Sequence, residues 1–226
     1  RGELSRDLIF SSMENSTSPY IIDRQVVVNA RASIDKGRKY IVIHGDLGNG
    51  KTVIVEELAC ASIQRGMRVF ALTGHPKYAL EDFHKLVQSR EKCVLIIENY
   101  SRHMDFIENI GMRNIPGHVY ILTERSALHE YYVEALSLPT PAEEYIEFDC
   151  NKLSDSEVEG AIRLLSTSGL WGEKTPLSDF MKRKFIKENL HSEFQAILIE
   201  ILNSPAVKNK LCLLYTSPSP RDGLLS

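Results

Sequence analysis

The sequence is sparing with cysteine. Four (Cys60, Cys93, Cys150 and Cys212) are spread over 226 residues. They form no CxxC pair and share no His/Cys spacing suited to zinc, so neither a disulfide framework nor a zinc site is indicated. Free, mostly buried thiols in a reducing compartment are expected. The histidines (His44, His75, His84, His103, His118, His129 and His191) show no metal spacing either. Charge of one sign is also missing. Twenty-seven Lys and Arg against 30 Asp and Glu leave a net charge of −3, which offers no broad surface for nucleic acid or polyphosphate. No apolar run nears the roughly 20 residues of a membrane-spanning helix, and no signal-peptide pattern is present, so a cytoplasmic location is expected. What remains is globular: 43% hydrophobic and 25% charged residues, enough for one large domain or two small ones.

Short apolar runs recur along the first two thirds of the chain. KYIVIH (39–44), MRVFALT (67–73), CVLIIEN (93–99), HVYILTE (118–124) and EYIEFDC (144–150) read as strands, most of them apolar on both faces. Helix candidates at 51–65, 79–89, 104–110 and 126–136 separate them, and 24–36 precedes the first. This alternation predicts βαβ units: an α/β, three-layer αβα core with a parallel five-stranded sheet. After residue 150 the pattern turns all-helical. Ser154 and Glu157 form a capping box, and Phe194, Ile197, Leu198, Ile201 and Leu202 make one helical stripe. The expected organisation is a linker at 1–19 from a missing upstream domain, a core at 20–150, a truncated helical domain at 151–211 and a tail at 212–226. The tail's CLLYTSPSPRD (212–222) resembles translated read-through of a sequencing adapter and is left out of fold reasoning.

HGDLGNGKT (44–52) carries the strongest signal. Gly45, four residues, Gly50, Lys51 and Thr52 fit G-x-x-x-x-G-K-[ST], after a strand and before an apolar helix. Glycines let successive N–H groups turn inward as an anion nest, and the helix N-terminus adds its dipole. Gly45, Asp46, Leu47, Gly48, Asn49, Gly50, Lys51, Thr52 and Val53 are therefore the expected nucleotide-binding residues. Lys51 would reach the β- and γ-phosphates, and Thr52 would ligate Mg²⁺. Glu98 ends the apolar run VLIIE and is the second expected magnesium residue. Asn99 beside it cannot take a proton from water, although it could orient one. Thr123 and Arg125, past the fourth strand, could sense and pair with a γ-phosphate. Tyr100 could approach the nucleotide, and the sequence leaves this open. Trp171 in GLWG reads as a turn anchor, and KRKFIK (182–187) as a solvated helix face.

Together these pieces resemble a STAND-class P-loop NTPase, the NACHT and NB-ARC group of AAA+-like switches. GDLGNGKT is similar to the Walker A motif, VLIIEN to the Walker B, and LTERS to a Thr-Thr-Arg sensor. YIIDRQ resembles the motif ahead of the first helix, and KLSDSEVEGAIRLL the start of a helical lid. Within the class, bacterial antiphage-defence ATPases are the nearest in character. The resemblance implies a 5-1-4-3-2 strand order and ATP or ADP with Mg²⁺ held between sheet and lid. It adds Arg24 to the cofactor-binding set and implies homo-oligomerisation when ATP is bound. It also implies fused effector and sensor domains outside this chain. Two departures bear on activity: Glu98-Asn99 replaces the usual acidic pair, and Glu124 replaces the sensor's middle threonine.

The expected function is an ATP-binding, slowly hydrolysing signalling module, with Glu98, Asn99, Thr123 and Arg125 as catalytic candidates. One alternative is a mechanical or DNA-associated AAA+ ATPase, with Arg102 or Arg113 as an arginine finger. The other is a nucleotide-stabilised scaffold that does not hydrolyse. No guanine-reading N-K-x-D motif appears, which favours adenine.

Overall fold

Strands form where alternate residues find two apolar layers to enter, and β1 (Tyr40–His44), β3 (Cys93–Glu98) and β4 (His118–Glu124) meet that condition. Ile41, Ile43, Val94, Ile96, Val119 and Ile121 enter one core with Val26, Val27 and Ala30 of α1 (Gln25–Asp35) and Ile54, Val55 and Leu58 of α2 (Lys51–Gln64). The intervening Tyr40, Val42, Leu95, Ile97, Tyr120 and Leu122 enter a second core on the opposite face. There they meet Phe83 of α3 (Pro76–Ser89), Phe106 and Ile107 of α4 (Met104–Ile110) and Leu136 of α5 (Ser126–Ser137). Each fully buried Ile, Leu or Val stabilises the fold by roughly 1.5–3 kcal/mol relative to exposure. The rings of Tyr40 and Tyr120 stack at 5.1 Å across the β1–β4 pair.

This computed structural model describes residues 21–73, 76–89, 91–110, 115–137, 143–205 and 208. The sheet is five-stranded and parallel in every pair, in the order β2-β3-β4-β1-β5, with β2 (Arg68–Ala71) and β5 (Tyr145–Asp149) at its edges. That is the expected three-layer α/β architecture, and the order read from the other edge is 5-1-4-3-2. The edge strands are shorter than the sequence runs that announce them. They are half-exposed, and β5 carries the outward charges Glu147 and Asp149, a common guard against unwanted strand pairing. Cys93 and Cys150 are buried free thiols and Cys60 is buried; Cys212, Arg113, His75 and residues 1–19 lie outside the described residues. No described helix is long and apolar enough to cross a membrane.

The chain divides into two compact units, Arg1–Asn151 and Lys152–Ser226. In the second, Ser154 caps α6 (Asp155–Thr167) with a reciprocal capping box through Glu157. Short α7 (Asp179–Lys184) runs into a wider π turn (Phe185–Asn189), and α8 (Phe194–Asn203) carries the expected stripe, with Ile197 buried and Leu202 left exposed. Trp171 is buried and donates its indole N–H to Ser166 Oγ at 3.0 Å, while Lys182 Nζ lies 5.3 Å from its ring centroid. Each cation of the 182–187 run has a carboxylate beside it: Lys182 with Asp179, Arg183 with Glu159, Lys184 with Glu188 and Lys187 with Asp155. Such pairs add little stability singly, but they neutralise the run locally.

One buried acid sits against the first core. Glu57 of α2 is 7% exposed, near Asp23, Arg24 and Arg31, and its Oε1 has no hydrogen-bond partner among the described residues. Burial, helped by Asp23 and opposed by the two arginines, pushes its carboxyl up to about 7. The folded value is above the unfolded one, so ionisation of Glu57 destabilises the fold progressively as pH rises from about 4.5 to about 7. Glu57→Gln is expected to flatten this limb and to raise unfolding free energy at pH 8 by on the order of 2–3 kcal/mol. Urea unfolding of both proteins at pH 5 and pH 8 measures it; parallel pH dependences would refute the assignment.

Candidate functional site

β1 ends at His44, and the chain turns through residues 45–50 into α2. Gly48 (φ 86°) and Gly50 (φ 76°) both adopt left-handed backbone angles. Gly50 is the N-cap of the 14-residue α2, and no side chain caps that end. The first N–H groups of a helix have no intrahelical acceptor. Here no capping side chain takes them, and the positive end of the helix dipole lies behind them. Lys51 Nζ folds back over the loop and donates to Gly45 O at 2.6 Å and Asp46 O at 2.9 Å. An ammonium has three donors, so one remains for a phosphate oxygen. Burial lowers the Lys51 pKa, Asp46 and Glu124 oppose this, and Arg125 adds to it. A bound anion would relieve the repulsion between Lys51 and Arg125.

The loop is held from behind. Arg24 is 4% exposed and donates to Asn49 O at 3.2 Å and to Cys150 O at 2.8 Å. The resemblance implies that Arg24 contacts nucleotide; in the structure its guanidinium grips the loop backbone. Gly45 donates its N–H to Glu124 O at 3.3 Å, and Cys150 donates its own to His44 O at 2.9 Å. Gly45 is needed for space rather than for a backbone angle: a Cβ there would lie 2.4 Å from Cys150 Sγ and 3.3 Å from Asn151 Oδ1. Burial pushes the Cys150 thiol up to about 11, so it stays protonated and acts as a small apolar wedge.

The other candidates sit at neighbouring strand ends. Glu98, Thr123 and Ile43 are level with one another across β3, β4 and β1. Glu98 and Asn99 are exposed, and Asn99 has a left-handed backbone (φ 50°), which asparagine tolerates. The Asn99 N–H donates to Thr123 Oγ1 at 3.4 Å, and Thr123, 4% exposed, keeps its own hydroxyl proton to donate. Arg125 is exposed at the start of α5, as is Thr52 at the start of α2. Asp46 and Leu47 are exposed, and Val53 is half-buried. Thr52 and Glu98 offer hard, solvent-facing oxygens of the kind Mg²⁺ accepts while keeping several waters. Among the described residues no three His, Cys, Asp or Glu side chains are grouped to hold a metal. One hydroxyl and one carboxylate are a donor set that would suit a magnesium ion keeping most of its waters.

Three features were not read from the sequence. Asn151 accepts hydrogen bonds at Oδ1 from the Asp46 N–H (2.6 Å) and from Asn49 Nδ2 (2.5 Å), and its Nδ2 donates to Ser126 Oγ at 3.1 Å. Glu124 is 1% exposed and accepts from the N–H groups of Ser101 (3.0 Å) and Arg125 (2.8 Å), so it braces the turns after β3 and β4. Tyr100 is fully buried and shares a 2.9 Å hydrogen bond with His129 Nδ1. Burial, with Glu124 and Glu147, pushes the Tyr100 hydroxyl well above its usual range, so it stays protonated. His129 Nε2 then donates to Glu147 Oε2 at 3.1 Å, which also accepts from the Tyr145 hydroxyl at 2.9 Å. Tyr100 therefore belongs to a buried network. His44 stacks on His129 at 4.4 Å, and burial followed by His129 lowers its pKa.

No family model and no curated protein matches the chain. Solved structures do. An S. cerevisiae Hsp104:casein complex in an extended conformation superposes with a TM-score of 0.56 at 14% identity, covering 90% of this chain and 40% of that one. A closed state of Hsp104 with ATPγS and casein gives 0.53 at 17% identity, covering 90% and 41%. The replication initiator DnaA bound to AMPPCP and single-stranded DNA gives 0.50 at 14%, covering 85% and 66%. These are AAA+ P-loop ATPases. The likeness is one of fold, and the chain spans about two fifths of the Hsp104 chains.

The wedge of Gly45 against Cys150 is testable. Gly45→Ala should destabilise by about 1–3 kcal/mol through overpacking. Adding Cys150→Ala removes the clashing sulfur and should recover part of that loss, a non-additivity read from urea unfolding of both single variants and the double. Strict additivity would show that the two do not share this space.

Proposed function

We propose that this chain is the ATP-binding module of a STAND-type signalling switch, with slow hydrolysis. The observation that carries this is the uncapped N-terminus of α2, reached through left-handed Gly50, with Lys51 already drawn over the loop. In this reading the N–H groups of residues 48 and 50–53 receive the α- and β-phosphates, and Lys51 the β- and γ-phosphates. The Thr52 hydroxyl and Glu98 would hold a magnesium ion, which would neutralise phosphate charge. Thr123 donates its free hydroxyl proton to the γ-phosphate or to a water beside it. Arg125 neutralises the γ-phosphate charge. Asn99 can orient a water but cannot accept its proton, and this is the reason for slow turnover. The nucleotide state then controls self-assembly of a larger cytoplasmic protein, of the antiphage-defence kind, whose effector and sensor domains lie outside this chain.

A second reading, a mechanical or DNA-associated AAA+ ATPase, is favoured by the fold shared with Hsp104 and DnaA. Rate separates the two. The switch predicts Mg²⁺-dependent ATP binding and turnover near or below 10⁻² s⁻¹, the range of unassisted P-loop hydrolysis (~10⁻⁴–10⁻² s⁻¹). Lys51→Ala should abolish binding, and Asn99→Asp should raise turnover by about a hundredfold by restoring a general base. Wild-type turnover of about 10 s⁻¹, typical of enzymes at large, would favour the mechanical reading. Tight binding with no turnover in either protein would leave a scaffold. A folded protein that binds no nucleotide would end the phosphate-loop reading altogether.

A further inference from the structure

Asn151 is the last residue of the first unit, and its side chain is built into the wall of the phosphate loop. Its Oδ1 takes two donors from the loop, the Asp46 N–H and the Asn49 amide, and Asn49 is 2% exposed. Its Nδ2 is fixed on Ser126 Oγ at the start of α5, and its backbone N–H donates to Asp149 Oδ1 at 2.8 Å. The preceding residue is gripped as well: Cys150 O accepts from Arg24, which also holds Asn49 O. Two independent bridges therefore join residues 46–49 to residues 150–151. The chain passes from Asn151 directly into Lys152, the first residue of the second unit.

We propose that Asn151 is a positioning residue that links occupancy of the phosphate loop to the connection between the two units. The proposal rests on the phosphate-loop reading and adds its regulation. A ligand that fixes the loop's N–H groups also fixes the Asp46 N–H and the Asn49 amide. These hold Asn151 Oδ1, so the start of residues 152–205 becomes less free to move when the loop is filled. With the loop empty the same bonds are made but open whenever the loop opens, so the restraint is weaker. Asn151 itself touches no phosphate in this scheme: it sets the position of the loop wall and reports on it.

The test uses the full chain, Mg²⁺ and AMPPCP, with binding by titration and backbone hydrogen exchange read residue by residue. In the wild type, AMPPCP should protect amides 46–52 and also 152–154. In Asn151→Ala the Asp46 amide should exchange faster even without nucleotide. AMPPCP should bind about tenfold more weakly, as expected for loss of a buried bridging side chain. At saturation, protection should persist at 46–52 and be lost at 152–154. General destabilisation would raise exchange throughout and would not separate these segments. Ser126→Ala, which frees the far end of the Asn151 amide and also removes the 3.5 Å contact of Ser126 Oγ with His44 Nδ1, should give the same split with a smaller affinity loss and keeps the test decisive if Asn151→Ala folds poorly. Wild-type binding with both variants indistinguishable from it overturns the coupling alone. A folded wild type that binds no AMPPCP overturns the phosphate-loop reading and the coupling with it.

Discussion

The Arg24 guanidinium is the contact on which the geometry of the site depends. It lies almost wholly out of water and bridges two backbone carbonyls, one in the phosphate loop and one just past β5. A buried cation is tolerated only where several acceptors surround it. That requirement fixes three otherwise separate pieces against one another: the start of α1, the loop after β1 and the end of the edge strand β5. Gly45 packed on Cys150, and Asn151 bonded to Asp46 and Asn49, follow from the same alignment. A loop of three glycines would otherwise sample many conformations, and these contacts hold it in one.

Two acids at adjoining strand ends meet opposite environments. Glu98 faces solvent at the end of β3, whereas Glu124 at the end of β4 is buried and spends both oxygens on backbone N–H groups. Only Glu98 is available to a metal or a water. Glu124 makes the turns rigid, and Thr123 takes the Asn99 N–H between them. Glu124 thus has a structural use of its own between Thr123 and Arg125.

What could be read in advance follows from how local the cause is. β1, β3 and β4 were legible because burial on both faces leaves an unbroken apolar run; β2 and β5 were blurred at their ends because edges tolerate polar residues. The G-x-x-x-x-G-K-T spacing is likewise contained in nine residues. Asn151 could not be found this way. Its partners Asp46 and Asn49 are 105 and 102 residues distant in sequence, and they meet only because β5 pairs with β1. The same holds for His129, whose bond to Tyr100 spans 29 residues and requires α5 to dock beneath the turn after β3. Arg24 was named by likeness of motif, but its hold on Asn49 O and Cys150 O became visible only in three dimensions.

Trp171 is the sole tryptophan of the chain and lies in the second unit, hydrogen-bonded to Ser166 with the Lys182 ammonium near its ring. The first unit holds no indole, so fluorescence excited at the red edge of protein absorption arises from residues 152–226 alone. A nearby ammonium and a buried ring make that emission sensitive to small rearrangements. The protein thus carries an intrinsic optical probe confined to one unit, and changes there can be followed without a label while the phosphate loop is filled or emptied.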